Sequence, residues 1–210
     1  MDTLEASHGA VSIRLIRPRD AKILQKELIE NRSWLVQWEA TSPDGGVPMD
    51  MRGSIRRLLQ QYREGSGVPF VMEYEGEIAG QLNVWGISRG SMSTGTIGYW
   101  VSERFAGRGI TPTSVALATD LSFTALRLHR MEICIRPENA PSLRVVEKLG
   151  FRYEGYRQRY IHINGDWRDH HAFALTREDV PRGVLNRWVS GQVPAGMGSV
   201  PASYGDTREA

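Results

Sequence analysis

Two glycines set two residues apart, in Gly107-Arg108-Gly109, carry the clearest chemistry in this sequence of 210 residues. They follow a strand-like run, Tyr99-Trp100-Val101, and precede an apolar helical run that opens at Ile110. Glycines in such a turn let the backbone take left-handed angles and come close to a bound group. The helix behind them offers free N–H groups and the positive end of its dipole, together a seat for a diphosphate. Arg104 and Arg108 flank the turn and could add charge-assisted hydrogen bonds. Two familiar nucleotide sites are excluded. A dinucleotide fingerprint wants a third glycine where Pro112 stands, and the Gly-Lys-Ser/Thr of a triphosphate loop occurs nowhere. Taken by itself, the turn could also be a plain strand-to-helix connection.

Further candidates lie downstream. Pro137-Glu138-Asn139-Ala140-Pro141-Ser142 leads into a short helical run ending Lys148-Leu149-Gly150-Phe151. Asn139 suits an N-cap, and Ser142 falls in the first turn, where a hydroxyl can serve either the local backbone or a substrate. His170-His171 lacks the i, i+4 spacing of helical ligands and any nearby cysteine partner, so no metal site is expected. Cys134, the single cysteine, sits in a strand-like run and reads as a small buried hydrophobe. Trp34, Trp38, Trp85 and Trp167 could line a cleft or pack in the core.

The elements that must hold these residues follow from periodicity and punctuation. A strand over Val11–Ile16 precedes a helix over Ala21–Glu30, a short turn carrying Trp34 and Trp38, a loop over Thr41–Pro48 and a helix over Met51–Glu64. Strands follow at Phe70–Tyr74, Ile78–Trp85 and Thr96–Val101, then a helix over Ile110–Leu128 and a strand over Met131–Ile135. A helix over Pro141–Leu149 and a hairpin turning at Asn164-Gly165 complete the order. The pattern is an α/β sandwich with a mixed sheet and not a doubly wound Rossmann sheet. Residues 1–10 and 181–210, apart from a turn at Val184–Val189, are expected to be flexible ends around one domain at 11–180.

Composition narrows the partners. Lys+Arg of 26 against Asp+Glu of 24 leaves a formal +2, too even for a polyanion-tracking nucleic-acid binder. Lys22, Lys26 and Lys148 are the only lysines, an arginine surplus that suits phosphate recognition or reflects codon bias. No run reaches the roughly 18 apolar residues of a membrane span, and Met1–Ala10 has no apolar core of an export signal. A cytoplasmic location is the expectation.

Arg-x-x-Gly-x-Gly at 104–109, Asn-x-x-Ser at 139–142 running to Lys148-Leu149-Gly150-Phe151, and Asn164-Gly165-Asp166-Trp167-Arg168-Asp169-His170 occur in this order. Together they resemble the GNAT N-acetyltransferase superfamily. The last motif and Trp38-Glu39 are similar to its branch acting on ribosomal-protein N-termini, and the likeness spans about residues 11–177. The resemblance implies a mostly antiparallel, seven-stranded mixed sheet with helices on both faces, splayed between strands four and five. It also implies acetyl-CoA as cosubstrate. Backbone around Trp100 and Val101 would pair with the pantetheine arm, the amides of Arg104, Gly107, Arg108, Gly109 and Ile110 would hold the diphosphate, and Asn139 would bond the arm.

The implied reaction is direct attack of an amine on the thioester, with Ser142 protonating the departing thiolate. An α-amine costs about 1 kcal/mol to deprotonate at pH 7 and a lysine about 4.6, so an N-terminal acceptor asks little of a base. Where that branch carries a glutamate base, this chain has Ile161; Glu39 is the replacement candidate, ahead of Glu154, Tyr160 and His162. The implied acceptor is a protein N-terminus, a ribosomal protein among them, and the enzyme a monomer or homodimer. A small amine as acceptor, or a silent CoA-binding or RNA-associated module, are the alternatives.

Overall fold

Apolar residues at every second position make the strands two-sided, and the two sides are covered by different helices. The computed structural model describes residues 4–45 and 50–201. Among them eight strands form one sheet: β1 Glu5–His8, β2 Val11–Leu15, β3 Val68–Tyr74, β4 Glu77–Ser88, β5 Thr94–Val101, β6 Arg130–Ile135, β7 Arg152–Ile163 and β8 Asp166–Thr176. Their order is β1-β2-β3-β4-β5-β6-β8-β7, antiparallel throughout except between β5 and β6. The helices are α1 Ala21–Glu30, α2 Arg32–Leu35, α3 Met51–Arg63, α4 Ile110–Thr124, α5 Ala140–Leu149 and α6 Val184–Ser190.

Phe70, Met72, Leu82, Ile97, Ile133 and Phe173 form the larger core with Val115 and Leu117 of α4 and Val146 and Leu149 of α5. Val71 and Ile78 turn the other way, onto Leu24 of α1 and Ile55 of α3. Helix α4 is buried on nearly all sides, which its small residues allow. Three of its buried hydroxyls are satisfied within the helix: Thr113, Thr119 and Ser122 donate to the carbonyls of Gly109, Val115 and Ala118 at 2.8, 2.7 and 2.7 Å. The helix stops at Thr124, short of the expected Leu128, because Leu126 N bonds back to Leu121 O and Arg127 takes φ 56.

The sheet has one strand more than the seven expected. Glu5–His8, in the stretch expected to be flexible, pairs with β2 across a turn at Gly9. Its side chains are mostly exposed, so backbone pairing holds it without any apolar alternation to announce it. The tail beyond 181 also departs from expectation. The Asp120 carboxylate accepts from Val184 N at 2.7 Å and Leu185 N at 3.0 Å, starting α6, and the Trp188 indole donates to Thr113 Oγ1 at 3.0 Å. Residues 1–3 and 202–210 of the expected flexible ends, and 46–49 of the loop over Thr41–Pro48, lie outside the described residues.

One glycine sets how closely β4 approaches the end of β5. A Cβ at Gly80 would stand 2.1 Å from the Trp100 carbonyl oxygen and 2.9 Å from Val101 Cα, both backbone atoms that cannot turn aside. Gly80→Ala is therefore expected to destabilise the fold by about 1–3 kcal/mol, as overpacking does. Urea unfolding checks this, and an unchanged midpoint would mean that the two strands part without cost.

Candidate active site

Strands β5 and β6 run side by side only from Thr94↔Arg130 to Thr96↔Glu132. Beyond that both continue, β5 to Val101 and β6 to Ile135, with no pairing between them. This is the parting expected between strands four and five of a seven-stranded count. Which backbone groups face the gap follows from the ladder on the other edge of β5. Ser102 N donates to Ala79 O, and antiparallel bonds recur at every second residue, so Trp100 and Gly98 direct their N–H and C=O groups toward β4. Ile97 turns toward β6 at the last parallel pair, and beyond it Tyr99 and Val101 direct theirs toward the gap. The expectation for Trp100 and Val101 thus divides: Val101 faces the gap, with its carbonyl accepting from Trp34 Nε1 at 3.2 Å, while Trp100 contributes its side chain.

At the end of β5 the turn takes the left-handed angles its glycines permit, φ 78 at Gly107 and φ 77 at Gly109, and Gly109 is the N-cap of α4. The first helical residue, Ile110, buries its side chain in the core. Arg108 is exposed and makes no ion pair among the described residues, its guanidinium lying 5.9 Å from the Phe105 ring centre. Arg104, expected at the phosphate, has its guanidinium engaged by two carboxylates. It donates to Glu27 Oε1 at 3.0 Å and Glu77 Oε2 at 2.9 Å, which hold its charge. Glu27 is itself buried, accepts from Ser102 Oγ at 2.6 Å, and so ties the turn to α1.

The gap widens into a cavity of about 530 Å³. Its wall brings together Glu39, Trp100, Asn139 and Ser142, four residues singled out above. Asn139 caps α5, its Oδ1 accepting from Ser142 N at 3.2 Å, and this leaves its amide hydrogens available. Trp38 and Trp85 line the wall; Trp34 and Trp167 do not. Trp38 is held under Arg136, whose guanidinium lies 5.3 Å from the ring and donates to Gln37 O at 2.7 Å. The segment after it is stitched to β7 by Thr41 N donating to His162 O at 2.9 Å. Cys134 also lines the cavity, half-buried, with its thiol pushed up by burial and therefore held protonated.

The candidate bases separate sharply. Ile161 lines the cavity as an apolar residue, and Glu39 is engaged by the Arg32 guanidinium. Glu154 is turned away into ion pairs with Arg130 and Arg152, which hold its carboxyl below the usual range. His162 bonds Thr41 Oγ1 at 2.8 Å outside the cavity, and Tyr160 stacks edge-on to His170 with Arg157 over its ring. Two lining residues had no site role assigned from the sequence, Tyr99 and His170. The Tyr99 phenol is raised to about 12 by burial, against a smaller opposite pull from the Ser142 hydroxyl. That contact is looser than a full hydrogen bond, since the buried Tyr99 oxygen has no partner of normal geometry. Alternation along a strand gave a signal for His170: in a histidine doublet, one ring must face each side.

Burial lowers both His170 and His171 from the ordinary histidine value. The unfolded chain, titrating near 6.5, then takes up protons that the fold refuses. The stability tied to these neutral rings is complete above about pH 6.5 and is lost as pH falls below it. Melting temperature is expected to drop between pH 7.5 and 5.5, and to drop less in a His170→Asn, His171→Asn double variant. Identical slopes in the two proteins would contradict this origin.

Comparison with known proteins agrees with this geometry. A family model for the acetyltransferase (GNAT) domain matches residues 11–152. The [ribosomal protein uS5]-alanine N-acetyltransferase of Escherichia coli is 30% identical over 170 residues, 80% of this chain and 88% of that protein. The probable N-acetyltransferase YjcK of Bacillus subtilis is 38% identical over 102 residues, 49% of this chain and 56% of that protein, so the chain spans little more than half of that relative. Among solved structures, Mycobacterium smegmatis RimJ in complex with CoA-disulfide superposes with a TM-score of 0.80 at 35% identity, covering 86% of this chain and 88% of that one. With its parted parallel strands, its glycine turn and these matches, the chain belongs to the GNAT acetyltransferase family.

Proposed function

We propose that this enzyme transfers the acetyl group of acetyl-CoA to the N-terminal α-amine of a protein, a ribosomal-protein alanine being the leading acceptor. The observation that carries the acceptor is the match to the uS5-alanine enzyme along 80% of this chain, most of both proteins. The gap between β5 and β6 suits the cosubstrate. An extended arm bearing amides adds to a free strand edge as an extra strand would, here against Tyr99 and Val101. The amides of Gly107 to Ile110 and the unpaired Arg108 suit the diphosphate, and the Asn139 amide hydrogens suit a carbonyl of the arm.

Chemistry then divides across the sheet. Ser142 belongs to α5, on the side of the larger core, and is the proton donor for the departing thiolate. The Tyr99 phenol, protonated because of its burial, keeps company with that hydroxyl and with no other partner among the described residues. Trp100 packs toward α1 on the opposite side, with Leu28, Leu35, Trp38 and Trp85 also on the cavity wall. That apolar chamber suits the first residues of an extended peptide. A polyamine acceptor is poorly served, because Glu39 is the one carboxylate among the described lining residues.

CoA release measured with acetyl-CoA and a panel of N-terminal peptides, spermidine and small amines tests the acceptor. Highest turnover with an alanine-starting peptide is expected; turnover confined to small amines would overturn the reading. Arg108→Ala should weaken acetyl-CoA binding roughly 5- to 10-fold, less so at high salt, as expected for an exposed charge-assisted contact. Arg104→Ala should leave that affinity within about twofold. Equal losses in the two variants, by calorimetry, would contradict the division of labour between them. Ser142→Ala should lower kcat by about 10²-fold with cofactor affinity intact, and an unchanged kcat would return the hydroxyl to a structural place in α5.

A further inference from the structure

The cavity has an acid candidate and lacks an evident base: the strand position facing it is Ile161, and Glu39 is occupied by Arg32. His170 fills the vacancy from an unexpected strand. It is 3% exposed yet lines the cavity. Its Nδ1 lies 2.9 Å from the Arg168 carbonyl oxygen. A carbonyl can only accept, so Nδ1 carries the hydrogen and Nε2 of the neutral ring carries the lone pair. Nε2 bonds to none of the described residues.

The ring is also on the side that an acceptor would use. Along β8, His171 and Phe173 turn into the larger core, while His170 and Ala172 turn the other way, with Ala172 opposite Cys134 and His170 opposite Arg157. Arg157 Nη1 donates to Cys134 Sγ at 3.3 Å, placing these side chains on one face. Trp100 shares that face, toward α1, and Ser142 approaches from the other. A base on the acceptor side and an acid on the sulfur side is the arrangement that direct transfer needs.

We propose that His170 is the proton acceptor of the transfer, its Nε2 taking the proton that the acceptor amine sheds as the carbon–nitrogen bond forms. This rests on the acetyl-transfer reading above. The amine lone pair forms the bond to the acetyl carbon, and the carbon–sulfur pair leaves with sulfur. The Ser142 hydroxyl protonates that sulfur, and the imidazolium and serine oxygen then exchange one proton through water, restoring both. The charged and titratable groups around the ring are Arg136 and Glu138 beyond β6, Cys134 of β6, Arg157 and Tyr160 of β7, and its neighbour Asp169. Asp169 is engaged by the Tyr156 hydroxyl at 2.8 Å and by Arg159 N at 2.6 Å. Burial dominates the balance and keeps the ring neutral, ready to accept, near pH 7.

His170→Asn retains an N–H for the Arg168 carbonyl and removes Nε2; His170→Ala opens room for a replacement base. With the best acceptor of the panel, His170→Asn is expected to lose on the order of 10²-fold in kcat while acetyl-CoA affinity stays within about twofold. Added imidazole should restore activity to His170→Ala in proportion to its neutral fraction as pH is varied, which a merely structural ring could not do. Wild-type kcat in His170→Asn, or a loss that imidazole leaves untouched, would overturn the assignment. Should wild type turn over a small amine and no peptide, the acceptor reading falls while the His170 result is read on that amine; no turnover of any amine overturns both.

Discussion

Three parallel residue pairs and then a parting of the ways: the site depends on β5 and β6 ceasing to pair after Thr96↔Glu132 while both strands run on. Backbone N–H and C=O groups left at a strand edge demand partners, and within a fold such edges are nearly always covered. Here Tyr99 holds both of its groups toward the cavity, while the Val101 carbonyl accepts from the Trp34 indole. The surrounding structure maintains the opening. Gly80 lets β4 lie against the end of β5, and α4 and α5 are fixed against the sheet by the larger core.

Long-range polar contacts then fix what surrounds the opening. Buried Glu27 gathers Ser102 and Arg104, so that the turn before α4 hangs from α1 as much as from its own strand. Arg136 over Trp38, Thr41 bonded to His162, and the Trp34 indole on Val101 bring the segment after α1 across the mouth of the cavity. Asp120 and Thr113 of α4 hold α6 beside the same turn, with Trp188 coming to 4.0 Å from where a Gly109 side chain would begin. The glycine turn is therefore braced on both sides by residues distant in sequence.

Local signals were legible and distant ones were not. Gly107 and Gly109, the Asn139 cap, Gly150 closing α5 and the Asn164-Gly165 turn act on their own neighbours, and the motifs they form were readable. The ion pairing of Arg104 was hidden because its partner Glu27 lies 77 residues away. The same holds for α6, whose first amides answer to Asp120 across 64 and 65 residues, and for β1, whose exposed side chains carry no alternation. His170 was visible only as half of a doublet; that its ring, and not that of His171, faces the cavity depends on the register of β8 against β6 and β7.

Amide hydrogen exchange with and without saturating CoA tests the central claim, that the open edge of β5 and the turn after it form the cosubstrate site. Exchange at Tyr99 and Val101 and across Gly107 to Ile110 should slow on binding, while Ile97, paired with β6, and Gly98 and Trp100, paired with β4, should change little. CoA binding that leaves the Tyr99 and Val101 amides unprotected would contradict it.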